Sequence, residues 1–259
     1  MRQPKPQKST SWGKVAKWYN NLLEEGADTY QEKVIKPNLL RILSVKSGEE
    51  IIDIGCGQGY FSRALAAEGA RVLGVDVGGE LIKFASEKAG KNEKYLVLSA
   101  EKLYGIADSR FNAAVCVLAM QNIKNMQAAI LEMSRVLKKG GRAALVLNHP
   151  AFRIPNGSSW GYDETANVQF RRIDAYMSEI SQEVDMTQGV KEVSKKKFTY
   201  SFHHPLQVYF KAFAKANFVV SRLEEWTSHK VSDKGARKMA EDKARKEIPL
   251  FMCIELRKL

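Results

Sequence analysis

With 259 residues, 44% of them hydrophobic and 27% charged, the chain has an ordinary globular balance and enough length to bury a substantial core. No apolar run approaches the roughly 20 residues that a bilayer-spanning helix needs. The N-terminal MRQPKPQKSTSWGK has basic residues with no apolar core behind them, which argues against a secretory signal and for a loose tail. The formal net charge of +12 admits a nucleic-acid partner, an anionic substrate or a plainly solvated basic surface. It is spread over the tail, KEVSKKK at 191–197 and KGARKMAEDKARKE at 234–247, where interleaved acids suit an exposed helix face. Cys56, Cys116 and Cys253 are far apart, and each lies in or beside an apolar run. Buried free thiols in a reducing cytoplasm are the expectation. No His, Cys and carboxylate residues fall at metal-ligand spacing, so a metal-free chemistry is expected.

After the tail, WGKVAKWYNNLL and TYQEKVIKPNLLRIL carry helical periodicity, with Pro37 kinking or beginning a helix. An alternation follows. EEIIDIG reads as a strand, YFSRALAAEG as a helix stopped by Gly69, ARVLGVDV as a strand, and GELIKFASEKAG as a helix closed by Gly90. KYLVLSA and FNAAVCVLAM read as strands three and four. MQAAILEMSRVLKKGG reads as a helix ending in basic residues and Gly, and RAALVLN as strand five. Apolar strands alternating with helices imply a parallel sheet covered on both faces, doubly wound by right-handed crossovers. From about 149 to 200 the rhythm breaks, and FRRIDAYM and KKFTYSFH alternate like antiparallel strands of a hairpin-like cap. PLQVYFKAFAKANF then reads as a helix, with His203 and His204 at its start, VVSRLEEW as a strand, and PLFMCIELRKL as a last strand.

The loop in IIDIGCGQGY, residues 51–60, discriminates among nucleotides. A triphosphate P-loop needs G-x-x-x-x-G-K-[ST], and no such string follows this strand. A dinucleotide fingerprint needs G-x-G-x-x-G, but the third glycine would fall on Tyr60 or Ser62. The spacing is D-x-G-x-G-x-G, with Gly55, Gly57 and Gly59 at every second position.

DIGCGQG resembles the first motif of the class I S-adenosylmethionine-dependent methyltransferases, of the small-molecule, methyltransferase type 11-like kind. GVDV, SAEKL, FNAAVCVLAMQNI and RVLKKGGRAALVLNHP extend the resemblance over about 30–150, and 205–259 matches more loosely. It implies a Rossmann-like, mostly parallel seven-stranded sheet with an antiparallel last strand, a helical lid before it and an insertion after the fifth strand. The organisation expected is a basic tail and start of the lid over 1–27, a cofactor-binding core over 28–148, a substrate-facing cap over 149–204, and a helix and strands completing the sheet over 205–259. The implied cofactor is S-adenosyl-L-methionine. Gly55, Gly57 and Gly59 would let backbone approach it without a Cβ in the way. Asp53 would orient the methionine end, and Asp76, followed by Val77, would accept from ribose hydroxyls. Ala100 and Glu101 would meet the adenine, with Ser99 standing where an Asp is frequent in the family, and Leu118 would pack against the adenine or the cofactor's waist. Tyr19, in WYNNLL, resembles the family's lid and would close over the methionine end.

Methyl transfer is chiefly a positioning task, with a base needed for a hydroxyl or protonated amine. His149, after the fifth strand, is the candidate base; a strand-ending turn is the alternative. Gln121, Trp160, Tyr162, Asp163 and Arg171 are candidates to face the substrate, and the last four equally suit a hairpin. The expected function is methyl transfer to a small-molecule acceptor, first of all at oxygen, in the cytoplasm. An RNA methyltransferase is the main rival, supported by the charge but by no RNA-binding motif. A non-catalytic binding protein of the same fold is the second.

Overall fold

The computed structural model describes residues 28–185 and 198–259. The core is one seven-stranded sheet. In chain order its strands are β1 (Glu50–Ile54), β2 (Arg71–Asp76), β3 (Glu93–Val97), β4 (Phe111–Val117), β5 (Leu137–Asn148), β10 (Phe218–Trp226) and β11 (Phe251–Lys258). Their spatial order is β10-β11-β5-β4-β1-β2-β3. The pairs β1–β2, β2–β3, β1–β4 and β4–β5 are parallel, and β11 runs antiparallel to both β5 and β10. The chain thus winds outward from β1 to β3, then restarts on the other side of β1 with β4. That reversal opens a crevice at the carboxyl ends of β1 and β4, where ligands bind in open α/β sheets.

The central strands are apolar throughout because both faces are covered. Ile51, Ala113 and Val115 point into one core; Ile52, Ala114 and Cys116 point into the other, as a period of two requires. Helices α1 (Lys36–Leu43) and α2 (Tyr60–Ala67) cover the first face with Leu39, Leu43, Phe61 and Leu65. Helices α4 (Met126–Val136) and α5 (Leu206–Lys215) cover the second with Ala129, Met133 and Phe213. Helix α3 (Gly79–Glu87) links β2 to β3, and α6 (Lys238–Glu247) precedes β11. A π-helical turn, Gln31–Ile35, leads into α1, and Pro37 begins that helix where its missing N–H has no partner to lose. All three cysteines are buried free thiols. No helix among the described residues is long and apolar enough to cross a membrane.

Three local expectations are corrected. The segment LKKGG is not the end of a helix: α4 stops at Val136 and β5 begins at Leu137. Leu137 is drawn into the sheet opposite Phe111, both fully buried, and the pairing then shifts so that Ala113 faces Arg142. The intervening residues are taken up by a bulge with Gly140 at φ +72°. His203 and His204 do not begin a helix. His203 closes the strand Phe198–His203, and α5 starts only after Pro205, which disfavours helical geometry in the residue before it. The region after β5 holds two hairpins rather than one. β6 (Ser158–Asp163) pairs with β7 (Val168–Ile173), and β8 (Ile180–Asp185) pairs with β9 (Phe198–His203), all antiparallel. In the first hairpin Phe170 lies over Gly161 opposite it, filling the space a side chain would otherwise take.

Arg142 on β5 ties both the end of α1 and the turn before β1 to the sheet. Arg142 donates Nη1 and Nη2 to the two Glu49 carboxylate oxygens (2.9 and 2.6 Å) and Nε to the Leu43 carbonyl (2.9 Å). Both side chains are largely buried, and the arginine holds the Glu49 carboxyl below the usual range. Arg142→Ala strands a buried carboxylate and a helix-terminal carbonyl together. We expect it to lower the unfolding free energy by about 3 kcal/mol in urea titrations at neutral pH.

Candidate functional site

A cavity of about 300 Å³ lies at the switch point, walled by the loops that follow β1, β2, β3 and β4. The β1 loop is built for close approach. Gly55, Gly57 and Gly59 have φ of +74°, +55° and +83°. A Cβ on Gly55 would stand 2.4 Å from the Ala119 Cβ, and one on Gly59 would stand 2.6 Å from the Tyr95 hydroxyl. The loop is pinned to β2 by Gly55 and Cys56, whose N–H groups both donate to the Val75 carbonyl (2.8 and 3.1 Å).

Asp76 ends β2 inside this cradle. Its Oδ2 accepts the Gly57 N–H (3.0 Å) and its Oδ1 the Gly78 N–H (2.7 Å). Burial raises its pKa, and those backbone donors, with that of Val77, pull it back. Each carboxylate oxygen keeps a second lone pair, so a vicinal diol can bind in front of a carboxylate already held from behind. Val77, Leu81, Leu98 and Ala100 give the same cavity an apolar wall. Glu101 also lines the cavity, but its Oε1 accepts the Asn125 N–H (2.9 Å) and ties the β3 loop to the start of α4.

Leu118 carries strain. Its φ is +52°, a left-handed conformation that costs a bulky residue energy. Its N–H donates to the Val146 carbonyl (2.8 Å), and its own carbonyl accepts the Gln121 and Asn122 side-chain amides (3.0 and 3.2 Å). These bonds hold the backbone in place at the cavity wall. Gln121 is thereby a buried support of Leu118 and is not among the lining residues; Met120 is fully buried in the core.

Asp53 lies beneath the glycine loop rather than on its surface. Its Oδ2 accepts the Ser62 hydroxyl at 2.6 Å, and its pKa is pushed up to about 7. Burial is the main cause, opposed by the Ser62 bond and reinforced by the Asp76 charge.

Tyr60, Gln58 and Cys56 are among the lining residues that the sequence reading did not single out. Tyr60 donates its hydroxyl to Glu32, which also pairs with Lys36, so the N-terminal helical segment is fastened to the cavity rim. Tyr60 stands where a dinucleotide fingerprint has glycine, which was the available signal. Gln58 and Cys56 occupy the positions between the glycines.

The expected proton acceptor is corrected. His149 is buried and is not among the cavity-lining residues. Its Nδ1 accepts the Ala151 N–H (3.2 Å), Nε2 lies 2.6 Å from the Glu225 carboxylate, and its ring lies 4.7 Å from that of Phe152. Burial lowers its pKa against the opposing pull of Glu225. With Nε2–H donating to Glu225, the single lone pair of the neutral ring is already used, and none is left for a substrate proton. The four insertion candidates are also away from the cavity, because the first hairpin uses them itself. Arg171 donates to the Phe152 carbonyl (2.7 Å) and the Ser158 hydroxyl (2.6 Å) and lies over the Trp160 ring. Tyr162 bonds Asn167 under Arg237, and Asp163 accepts the Thr165 and Ala166 N–H groups in the turn. Tyr19 and the expected 1–27 segment lie outside the described residues.

The strand order, the switch-point cavity and the glycine cradle together define the Rossmann-like fold of class I methyltransferases. Residues 52–145 match the family model described as a methyltransferase domain. A demethylmenaquinone methyltransferase from Tropheryma whipplei (strain Twist) is 30% identical over 111 residues, 42% of this chain and 46% of that protein. A ubiquinone biosynthesis O-methyltransferase from Xylella fastidiosa (strain 9a5c) is 33% identical over 99 residues, 37% of this chain and 40% of that protein. The chain thus matches less than half the length of these curated relatives. A crystal structure of an S-adenosylmethionine-dependent methyltransferase from Mesorhizobium loti shares the fold with a TM-score of 0.69 at 22% identity, covering 86% of this chain and 96% of that one.

Asp53 makes stability without ligand depend on pH. Its folded pKa of about 7 lies above the ordinary 3.8, so the native state holds the proton more tightly than the unfolded state does. That contribution is complete below about 3.8 and is lost as pH rises through about 7. Asp53→Asn should therefore gain in melting temperature relative to the parent between pH 5 and 7 and level off above, as read by thermal scans. A difference that does not vary with pH would contradict the assignment.

Proposed function

We propose that the protein is an S-adenosylmethionine-dependent methyltransferase acting on a small-molecule acceptor. The observation that carries this reading is Asp76, anchored by two backbone N–H groups with an open lone pair on each oxygen, in a cavity bounded by the glycine cradle and an apolar wall. Those parts fit a cofactor made of a flat base, a ribose diol and a short amino-acid chain. Asp76 holds the diol, Val77, Leu81, Leu98 and Ala100 hold the base, and the loop from Gly55 to Gly59 lies under the remainder. Bound there, the cofactor supplies an activated methyl group on a sulfonium centre. The chain's own residues orient it and exclude water, which is the larger part of catalysis for a displacement of this kind.

Oxygen is the acceptor atom we propose, and the relative named as an O-methyltransferase supports it. The similarity lies in the cofactor-binding half, so the reading of the acceptor also rests on chemistry. With His149 engaged elsewhere, a hydroxyl that sheds its proton readily suits the site best, a phenol or an enol with a pKa near 10 rather than an alcohol.

Calorimetry should show binding of S-adenosylhomocysteine, and labelled S-adenosylmethionine should methylate a small molecule in a phenol-enriched metabolite extract. Asp76→Ala removes two ribose contacts and should weaken S-adenosylhomocysteine binding about 30-fold, or about 2 kcal/mol. Absence of binding at millimolar ligand would sink the reading. Label transferred to RNA instead would replace the acceptor class.

A further inference from the structure

One guanidinium at the carboxyl edge of the sheet lacks an anion. Arg153 follows β5 in a turn closed by its own N–H on the His149 carbonyl (2.8 Å). Among the described residues its side chain makes no hydrogen bond and no ion pair. That side chain is exposed, yet the protein around it strips enough water to lower its pKa, and the opposing pull comes from Tyr30 and from no carboxylate. A charged group that water still reaches while protein crowds its other sides lines a recess. Arg171, on β7, lies near enough for the Arg153 charge to lower its pKa beyond the effect of burial. Its own bonds go to the Phe152 carbonyl (2.7 Å) and the Ser158 hydroxyl (2.6 Å), which carry no charge. The carboxylates of the neighbourhood are engaged: Glu225 with His149, Glu164 with Arg237 and Asp174 with Arg172. Two poorly hydrated cations thus stand near one another, at a cost that a bound anion would remove.

Tyr30 fixes the place of this recess. Its hydroxyl lies 3.1 Å from the Ser228 Oγ, and its ring stands edge-on to Phe251 at 5.6 Å. Two residues further on, Glu32 accepts the Tyr60 hydroxyl at the cavity rim. On the opposite wall Leu118 is bonded to Val146, near the end of β5. The recess therefore adjoins the cofactor cavity on its β5 side, and Arg153 is not among the residues that line that cavity. A ligand held there is the second substrate.

We propose that Arg153 binds a carboxylate of the methyl acceptor, so that the acceptor is a phenol or enol that also carries an acid group. The inference rests on the function proposed above and adds to it the charge of the substrate. A guanidinium presents a planar fork that two carboxylate oxygens fit, which supplies orientation as well as affinity. Anchoring the acid end aims the hydroxyl at the methyl group, the positioning on which a displacement depends. Arg171 adds to the positive field without touching the acceptor.

The test splits a phenol-enriched metabolite extract on an anion exchanger at neutral pH, where phenols are uncharged and carboxylates are retained. Each fraction is offered to the protein with labelled S-adenosylmethionine. Label should enter the retained fraction, and esterifying its acids with methanol should abolish acceptance. Arg153→Ala should lower the rate at limiting acceptor about tenfold, with S-adenosylhomocysteine affinity changed less than about twofold, and Arg153→Lys should recover part of the loss. Label in the unretained fraction alone, acceptance that survives esterification, or an Arg153→Ala rate equal to the parent's overturns the inference and leaves methyl transfer to a small molecule standing. A matching loss of S-adenosylhomocysteine affinity assigns Arg153 to the cofactor and also overturns it. A parent protein that binds S-adenosylhomocysteine but labels neither fraction overturns the small-molecule acceptor together with this inference. One that does not bind S-adenosylhomocysteine overturns the cofactor reading as well.

Discussion

The site depends on how closely the loop after β1 approaches the ends of β2 and β4. Two successive N–H groups, from Gly55 and Cys56, converge on the Val75 carbonyl, and the next glycine gives its N–H to Asp76. On the other side the Gly55 Cα faces Ala119 with no room for a Cβ. These contacts need left-handed backbone at every second residue, which only glycine reaches without cost. Once the loop is so held, the position of Asp76 in the cavity is a consequence. A side chain on Gly55 would lever the loop off β4 and take the Asp76 geometry with it.

The electrostatics follow the same constraint. Asp53 and Asp76 lie close enough for the charge of one to raise the pKa of the other, and both are poorly solvated. Asp76 offsets its burial with backbone donors, whereas the side-chain partner of Asp53 is the Ser62 hydroxyl. This asymmetry matches a ligand that brings its own cations. A sulfonium and an ammonium above the loop would favour ionised carboxylates below it.

Much of this was legible in the sequence because it is local. Strands such as IIDI and AAVCV announce themselves by continuous apolar character, and the glycine spacing with Asp76 about 20 residues on marks the cradle. What was not legible depends on partners distant in the chain. His149 stands at the carboxyl edge, where a base belongs, but Glu225, 76 residues on, takes its Nε2. The end of α4 is decided by Phe111, which draws Leu137 into the sheet and overrides a plausible helix-capping string. Tyr60 joins the rim through Glu32, 28 residues earlier.

The contrast between the cradle and the region after β5 has a physical origin. The cradle is built mostly from backbone: N–H groups, glycine torsions and the ends of parallel strands, all of which survive wide changes in side chains. That is why residues 52–145 match a methyltransferase domain while identity to the relatives stays near 30%. The region after β5 is built the other way. Its first hairpin spends its polar side chains on itself, with Arg171 on Ser158 and the Phe152 carbonyl, and Asp163 on its own turn. Arg237 crosses to this hairpin from just before α6, pairing with Glu164 and covering Tyr162. Such a unit can exchange its surface residues without disturbing the cradle, because none of its bonds passes through Gly55, Asp76 or Gln58. The surface of this hairpin can therefore change while the geometry of the cradle stays fixed.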